Sequence, residues 1–250
     1  CGQGMPRLER RRPADRGERF SESGVGLFHE KTRANLKIQE GCDFHCSYCI
    51  VPSARGPARS RDWDDVMKEA QRLVQAGYKE IVLTGVNIAT YGDRKGDLAD
   101  LLEALLTIDG QFRVRLSSTE PGDVLERVID VMARHRAVCR FLHLPMQYGE
   151  DSVLRAMNRR YDVTSFQRLA HMAAECIPGL CLGSDVIVGF PGETESAFRT
   201  CRETLEAAPI NHLHVFTFSP RKGTPAATFP DQVPGNVAAA RARIIGQIAR

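Results

Sequence analysis

The sequence has no apolar run approaching the roughly 20 residues that cross a bilayer. Its first residues, rich in arginine and broken by Pro13 and Gly17, lack the apolar centre of a secretory signal. The pattern points to a soluble cytoplasmic protein. Cysteine is sparse: eight in 250 residues cannot make a disulfide scaffold. No internal repeat or low-complexity tract is present. Neither sign of charge dominates, since 34 Lys and Arg face 31 Asp and Glu for a net charge of +3. That balance permits a polyanionic partner without requiring one, although arginines bunch at Arg10–Arg12 and again at Arg55, Arg59 and Arg61. With 42% hydrophobic and 26% charged residues the chain is neither disordered nor fibrous, and it can bury one large core.

What is present is ordered along the chain. Residues 1–32 hold few apolar side chains and many charges and glycines, and read as a linker or the tail of a preceding domain. From Arg33 onward, β-branched apolar runs alternate with segments of helical period. Strands are expected at Ala34–Gln39, Glu80–Thr84, Arg113–Ser117, Arg140–Leu144, Leu182–Val188 and His212–Phe216. Helices are expected at Trp63–Ala76, Leu98–Thr107, Val124–Arg134, Ser165–Cys176 and Glu195–Ala207, with Asp62 and Asp123 as N-caps and Gly77 as a stop. Strands that each lead into a crossover, without tandem hairpin signals, imply an α/β protein with a parallel sheet: an open, partial (β/α)6 barrel, or else a flat doubly wound sheet. In either, ligands gather at the carboxyl ends of the strands, where the glycine-rich segments fall. The chain opens on Cys1 and closes in a helical run, Val237–Arg250, and a piece of a longer protein is expected.

Three of the eight cysteines crowd into Gly41-Cys-Asp-Phe-His-Cys-Ser-Tyr-Cys49, on the loop after the first strand. Three thiolates at C-x3-C-x2-C spacing can hold three irons of a cubane cluster and leave the fourth open. A structural zinc ion wants four ligands, and only His45 lies within the loop to complete such a set, because the next cysteine is Cys139.

The spacing, with Tyr48 before the last cysteine, resembles the radical S-adenosylmethionine superfamily. The continuation Ile50-Val-Pro-Ser-Ala-Arg-Gly-Pro-Ala-Arg-Ser-Arg61 resembles its methylthiotransferase branch. So do Leu83-Thr-Gly-Val-Asn-Ile-Ala-Thr-Tyr-Gly92, Arg115-Leu-Ser-Ser-Thr-Glu-Pro121, His143-Leu-Pro-Met-Gln147, Ala156-Met-Asn-Arg-Arg-Tyr161, Asp185-Val-Ile-Val-Gly-Phe-Pro-Gly-Glu-Thr194 and Phe218-Ser-Pro-Arg-Lys-Gly-Thr-Pro-Ala226. The resemblance implies a [4Fe–4S] cluster held by Cys42, Cys46 and Cys49, and S-adenosylmethionine bound at its open iron. Tyr48, Thr84, Gly85, Asn87, Glu120, Gln147 and Gly189 are the expected contacts to that cofactor; no catalytic side chain beyond the cluster ligands is expected. It further implies a radical-SAM core at 33–232, a tail at 1–32 from an amino-terminal methylthiotransferase domain, and a helix at 233–250 leading to an RNA-binding β-domain. The implied partners are tRNA and a reducing protein of the flavodoxin or ferredoxin type. The implied reaction is methylthiolation of threonylcarbamoyladenosine beside the anticodon. Isopentenyladenosine or a ribosomal protein is the alternative substrate; those branches carry Gln-Asn or Gln-Asp at the end of the second strand, where this chain has Val86 in place of the Gln and keeps Asn87.

Plainer readings stand beside these. Three cysteines plus a histidine also suit a zinc-stabilised nucleic-acid-binding module, and a barrel with a degenerate cluster site is a third class. Gln147-Tyr148-Gly149-Glu150 departs from the family's Gln-Ser-Gly-Ser, which puts the ribose and carboxylate contacts of that loop in doubt. Glu193 is expected to start a helix, Asp185 to be structural, and His143, His212 and His214 to pack in the core. Arg55, Arg59 and Arg61 are read as substrate contacts or as a solvated loop in equal measure.

Overall fold

The computed structural model describes residues 32–248. The tail expected at residues 1–32 lies outside them, apart from Thr32. Six parallel strands organise the chain: β1 (Arg33–Lys37), β2 (Glu80–Thr84), β3 (Arg113–Leu116), β4 (Phe141–His143), β5 (Cys181–Val188) and β6 (His212–Thr217). They pair in sequence order as two three-stranded sheets, β1-β2-β3 and β4-β5-β6. Isolated parallel bridges, Val114 to Val138 and Ser118 to His143, join β3 to the β4 region. Among the described residues no pairing closes β6 onto β1. The architecture is the open partial barrel and not the flat alternative's interleaved strand order.

Alternation along the strands decides which face goes where. Leu36, Ile81, Leu83, Val114, Leu116, Leu182, Val186 and Val188 are buried. Residues of opposite parity, among them Arg33, Asn35, Arg113, His212, His214 and Phe216, are exposed. The apolar face packs under the helices, at about 1.5–3 kcal/mol per large aliphatic side chain buried. Helix α2 (Trp63–Gln75), preceded by the short α1 (Val51–Arg55), presents Val66, Ala70 and Leu73 to that layer at i, i+4, i+7 spacing. Its N-cap Asp62 accepts from the amides of Asp64 and Asp65, and Gly77 follows its C-cap, as expected. Helix α3 (Leu98–Leu106) begins in a capping box, with Asp97 and Asp100 each accepting from the other's backbone. In α4 (Val124–Arg134), Asp123 holds the N-cap position without a side-chain bond, so the expected cap is positional only.

Three helices were not foreseen in their observed form, the short α1 among them. Helix α5 (Asp151–Ala156) starts at Glu150, whose carboxylate accepts from Ser152 and Val153. Helix α6 (Val163–Cys176) starts earlier than expected, with Asp162 accepting from Ser165. Helix α7 (Glu195–Ala207) keeps its expected bounds, and α8 spans Gly235–Ile245 within the longer run expected.

At the amino ends of the first sheet, Glu80 stands in register between Arg33 and Arg113. Its carboxylate also accepts from Arg115 at 2.6 and 3.4 Å, and ion-pairs with Arg33 at 2.8 Å. The Arg115 hydrogen bond holds the Glu80 carboxyl below its usual range. A depressed carboxyl stabilises the fold above the unfolded-state value, and that contribution is lost as pH falls through the folded value. Glu80→Gln is therefore expected to cost about 1.5–3 kcal/mol at neutral pH. It should also flatten the acid-side loss of stability, as read from urea unfolding at pH values stepped from neutral to acid.

Candidate metal centre

The cysteine loop leaves β1 and is closed at its base by a two-residue antiparallel ladder, Gln39 with Ser60 and Glu40 with Arg59. Just inside, the Cys42 amide donates to the Gly56 carbonyl at 3.1 Å. Gly41 adopts φ +71, and a Cβ there would lie 1.9 Å from the Pro57 carbonyl oxygen, so the two loop stems can meet only at a glycine. Gln39 ties this base to the end of β2. Its fully buried side-chain oxygen accepts from the Val86 and Asn87 amides, both at 2.9 Å, while its NH2 group donates to the Glu40 and Gly41 carbonyls. A Cβ on Gly85 would meet Gln39 at 2.9 Å. The missing side chain of Gly85, read from the sequence as room for a ligand, is thus required first by Gln39.

The three thiols are unbridged, with Cys46 buried and Cys42 and Cys49 partly so. The Cys49 amide donates to the Cys46 carbonyl at 3.0 Å, which sets the turn between them. The Phe44 amide donates to Cys42 Sγ at 3.3 Å and Arg159 Nη1 donates to Cys46 Sγ at 3.0 Å. Burial pushes both thiols up; the Phe44 amide opposes this at Cys42, and the Arg159 guanidinium opposes it at Cys46. Charges on Cys46 and Cys49 raise Cys42 further, so the three sulfurs lie within electrostatic reach of one another. Among the described residues, no group of three or more His, Cys, Asp or Glu side chains converges to hold a single ion. A cubane distributes its protein-held irons over separate corners, and three sulfurs on one loop with N–H donors aimed at two of them fit that donor set.

A distant segment grips the loop. Ser47 donates through its amide to the Met157 carbonyl at 3.0 Å and through its hydroxyl to the Ala156 carbonyl at 2.7 Å. Asn158, at φ +57, donates to the His45 carbonyl, and Arg160 donates to the Asp43 carbonyl while its guanidinium lies 4.1 Å from the Phe44 ring. Arg159, between them, turns inward, with its side chain 2% exposed. It pairs with Glu120, donates to Tyr48 OH at 3.3 Å and donates to Tyr161 OH at 3.2 Å. Burial pushes the Glu120 carboxyl up and the Arg159 guanidinium pulls it down; direct contact keeps the pair ionic. Glu120 and Tyr48 were expected at the site; Arg159, which joins them, was not.

The remaining expected contacts divide. Thr84, Gly85 and Val86 line a cavity of about 390 Å³ with Lys37, Glu40, Val51 and Arg55. Asn87 caps the following turn by accepting from Ala89, and its buried Nδ2 has no hydrogen-bond partner. Gln147, at φ +63, is bound through its backbone to Asp185 and Ile187, with a half-buried side chain. The amides of Gly189, an expected cofactor contact, and of Phe190 both donate to Glu193. Glu193 does more than start a helix: buried, it also pairs with Arg241 of α8 at 3.2 Å. Glu150, in the departing loop, is spent on capping α5.

Two of the three histidines differ from expectation, and the third, His143, is buried as expected. His212 and His214 stand exposed on the concave face of edge strand β6, because their parity puts them opposite the core. His143 sits between Ser118 Oγ at 2.9 Å and Asp185 Oδ1 at 3.1 Å, and these groups line a second cavity of about 410 Å³ with Arg115 and Phe216. Of the expected substrate arginines, Arg55 is exposed and Arg59 partly so. Arg61 is a correction. Its side chain is 2% exposed and ion-pairs with Glu69 at 2.5 Å and Asp65 at 2.6 Å, so it cannot meet a polyanion.

The family described as the Radical SAM superfamily matches residues 36–205. The threonylcarbamoyladenosine tRNA methylthiotransferase MtaB of Bacillus subtilis is 46% identical over 221 residues, covering 87% of this chain and 49% of that protein. Its namesake from Thermotoga maritima is 39% identical, covering 87% of this chain and 51% of its own. A tRNA-2-methylthio-N(6)-dimethylallyladenosine synthase of Clostridium botulinum is 41% identical, covering 82% and 46%. The chain thus spans about half the length of these relatives. Among solved structures, the radical S-adenosylmethionine methyltransferase TsrM of Kitasatospora setae aligns with a TM-score of 0.65 at 19% identity, covering 80% of this chain and 39% of that one. Coproporphyrinogen III oxidase of Escherichia coli aligns at 0.63 and 17% identity, covering 87% and 52%. These two share the fold.

The contrast between the arginines is testable by urea unfolding. Arg61→Ala leaves Glu69 buried beside an empty space and is expected to cost about 3–5 kcal/mol. Arg55→Ala, at an exposed side chain, should stay within about 0.5 kcal/mol of the parent.

Proposed function

The chain belongs to the radical S-adenosylmethionine superfamily, and from that premise we propose that it is the radical-generating core of a tRNA methylthiotransferase acting on threonylcarbamoyladenosine beside the anticodon. The observation that carries the chemistry is the loop of three free thiols at the carboxyl rim of an open parallel barrel. The substrate rests on kinship with the two threonylcarbamoyladenosine enzymes. Residues 33–232 form the core in this reading; 1–32 follow an amino-terminal domain and 233–250 lead to an RNA-binding one.

Cys42, Cys46 and Cys49 would hold the [4Fe–4S] cluster. When bound, the cluster supplies the electron that cleaves S-adenosylmethionine and so starts hydrogen abstraction from the substrate. The protein's part is placement. Gln39 and the 156–161 segment fix the loop, and the cavity beside Thr84 and Gly85 has room at the rim for part of a cofactor. The cavity bounded by Arg115, His143, Asp185 and Phe216 offers the mixed aromatic and polar lining that a purine nucleoside calls for. Arg55, exposed beside the loop, suits an anticodon-loop phosphate, and such binding weakens as salt rises. A flavodoxin- or ferredoxin-type protein would deliver the electron in the cytoplasm.

Kinship with the dimethylallyladenosine enzyme, at 41% identity, supports isopentenyladenosine as the second reading. Returning the full-length parent gene to cells lacking methylthiolation, and digesting their tRNA for mass spectrometry, separates the two. Methylthio-threonylcarbamoyladenosine is expected. Methylthio-isopentenyladenosine or a methylthiolated ribosomal protein in its place overturns the substrate and leaves the radical chemistry standing. For the metal, reconstituted Cys46→Ala should lose most bound iron and its broad visible absorbance, because two thiolates hold a cubane poorly. Cys201→Ala, at a buried thiol donated to by the Gly149 amide and pushed up to about 12 by burial, should keep its iron.

A further inference from the structure

The motif Ala156–Tyr161 has so far served only as a strap, yet its central side chain does something a strap does not need. Asn158 and Arg160 hold the cysteine loop through its backbone carbonyls, at His45 and Asp43. Arg159 instead reaches a sulfur. Its Nη1 donates to Cys46 Sγ at 3.0 Å and to Tyr48 OH at 3.3 Å, its Nε donates to Tyr161 OH at 3.2 Å, and its Nη2 contacts the Glu120 carboxylate. Tyr161 OH in turn donates to the carbonyls of Pro145 and Met146, at 2.9 and 3.0 Å, which anchors the far side of the guanidinium to the end of β4.

We infer that Arg159, offset by Glu120, is a positioning residue that sets the reduction potential of the iron–sulfur cluster, an inference that rests on the cluster proposed above. Three observations converge on it. The first is chemical: an N–H donated to a cluster-ligating sulfur stabilises the electron-rich, reduced state and raises the potential. The second is electrostatic. With the side chain 2% exposed, solvent screens the charge less than it would at the surface, so a cation in contact with a ligand sulfur acts on it more strongly than an exposed one. The third is economy of structure. Burying an Arg–Glu pair costs desolvation that an apolar pair of equal volume would avoid, and the loop is already gripped by Asn158, Arg160 and Ser47. The charge at Arg159 is therefore not explained by mechanical holding alone. Glu120 reaches Arg159 from the loop after β3, at Nη2 while Cys46 Sγ takes Nη1, and sets how much of the positive charge the sulfur feels.

The test is an EPR-monitored reductive titration of the reconstituted protein without S-adenosylmethionine. Iron, sulfide and far-UV circular dichroism are measured on each sample. Relative to the parent, Glu120→Gln should move the midpoint to more positive potential, because Arg159 is then unopposed. Arg159→Gln should move it to more negative potential, and Arg159→Lys, which keeps the charge and loses the fork of donors, should fall between parent and Arg159→Gln. Opposite signs in the two neutral variants are the signature, since general loosening of the site would shift both the same way. Shifts of equal sign, or none in either variant, overturn the inference. Should Arg159→Gln fail to retain iron, Glu120→Gln decides alone, because it leaves the Cys46 contact intact: a positive shift supports the inference and its absence overturns it. A parent protein that takes up no iron and sulfide overturns the proposed function, and this inference with it.

Discussion

A loop that carries three sulfur donors buries little apolar surface of its own, chiefly Cys46 and part of Tyr48, so much of its shape has to be imposed from outside by hydrogen bonds. That constraint organises the rim of the barrel. Gln39 reads the amides that follow β2, Gly41 lets the loop stems touch, and Ser47 is gripped at three backbone positions by partners more than a hundred residues away. Each bond is worth only about 1 kcal/mol net, yet leaving any of these buried groups unpaired would cost more than the bond supplies. The loop is therefore held by the accumulated penalty of every alternative and not by one strong contact.

The sheet answers a different demand. Parallel sheets ordinarily bury both faces, and here the convex face does so under the helices. The concave face instead carries Arg33, Asn35, Arg113, Arg115, His143, Asp185, His212 and His214. Such a surface cannot be a packed core, and an open barrel with a polar interior leaves volume for a ligand beside the thiols. The link is physical: the loop after β3 meets His143 of the cavity through Ser118, at 2.9 Å, and meets Arg159 at the cysteine loop through Glu120.

What was legible in the sequence was what depends on near neighbours. Short β-branched apolar runs located all six strands, and the caps at Asp62 and Gly77 bounded α2, because each signal acts within a few residues. The thiol loop was legible for the same reason. What was not legible depends on partners far along the chain. Arg61 lies in a run with Arg55 and Arg59 that looks uniformly basic, and only Lys37 and α2 make it a buried residue. The histidines of β6 sit in a strand, which suggested core, but an edge strand of an open barrel exposes one face. Gln39 gave no local sign of importance and Arg159 stood in a family-like motif without a role, since their partners are the Val86 and Asn87 amides in one case and Glu120 and Cys46 in the other.

Three buried Arg–Glu pairs recur at the carboxyl rim and its flanks: Arg61 with Glu69, Arg159 with Glu120, and Arg241 with Glu193. An ion pair in the interior is a poor source of stability, because desolvation consumes what attraction returns. Its advantage is directional. A planar guanidinium fixes several acceptors at once, and losing its partner strands a charge, so alternative packings are penalised far more steeply than an apolar contact would penalise them. Each pair joins a segment bearing on the site to an element of the scaffold: the strand after the thiol loop to α2, the 156–161 strap to the end of β3, and α8 to the turn at Gly189. The rim gains little net stability from these charges and a great deal of positional definition, which is what a site that must hold a large inorganic group and a cofactor in fixed relation requires.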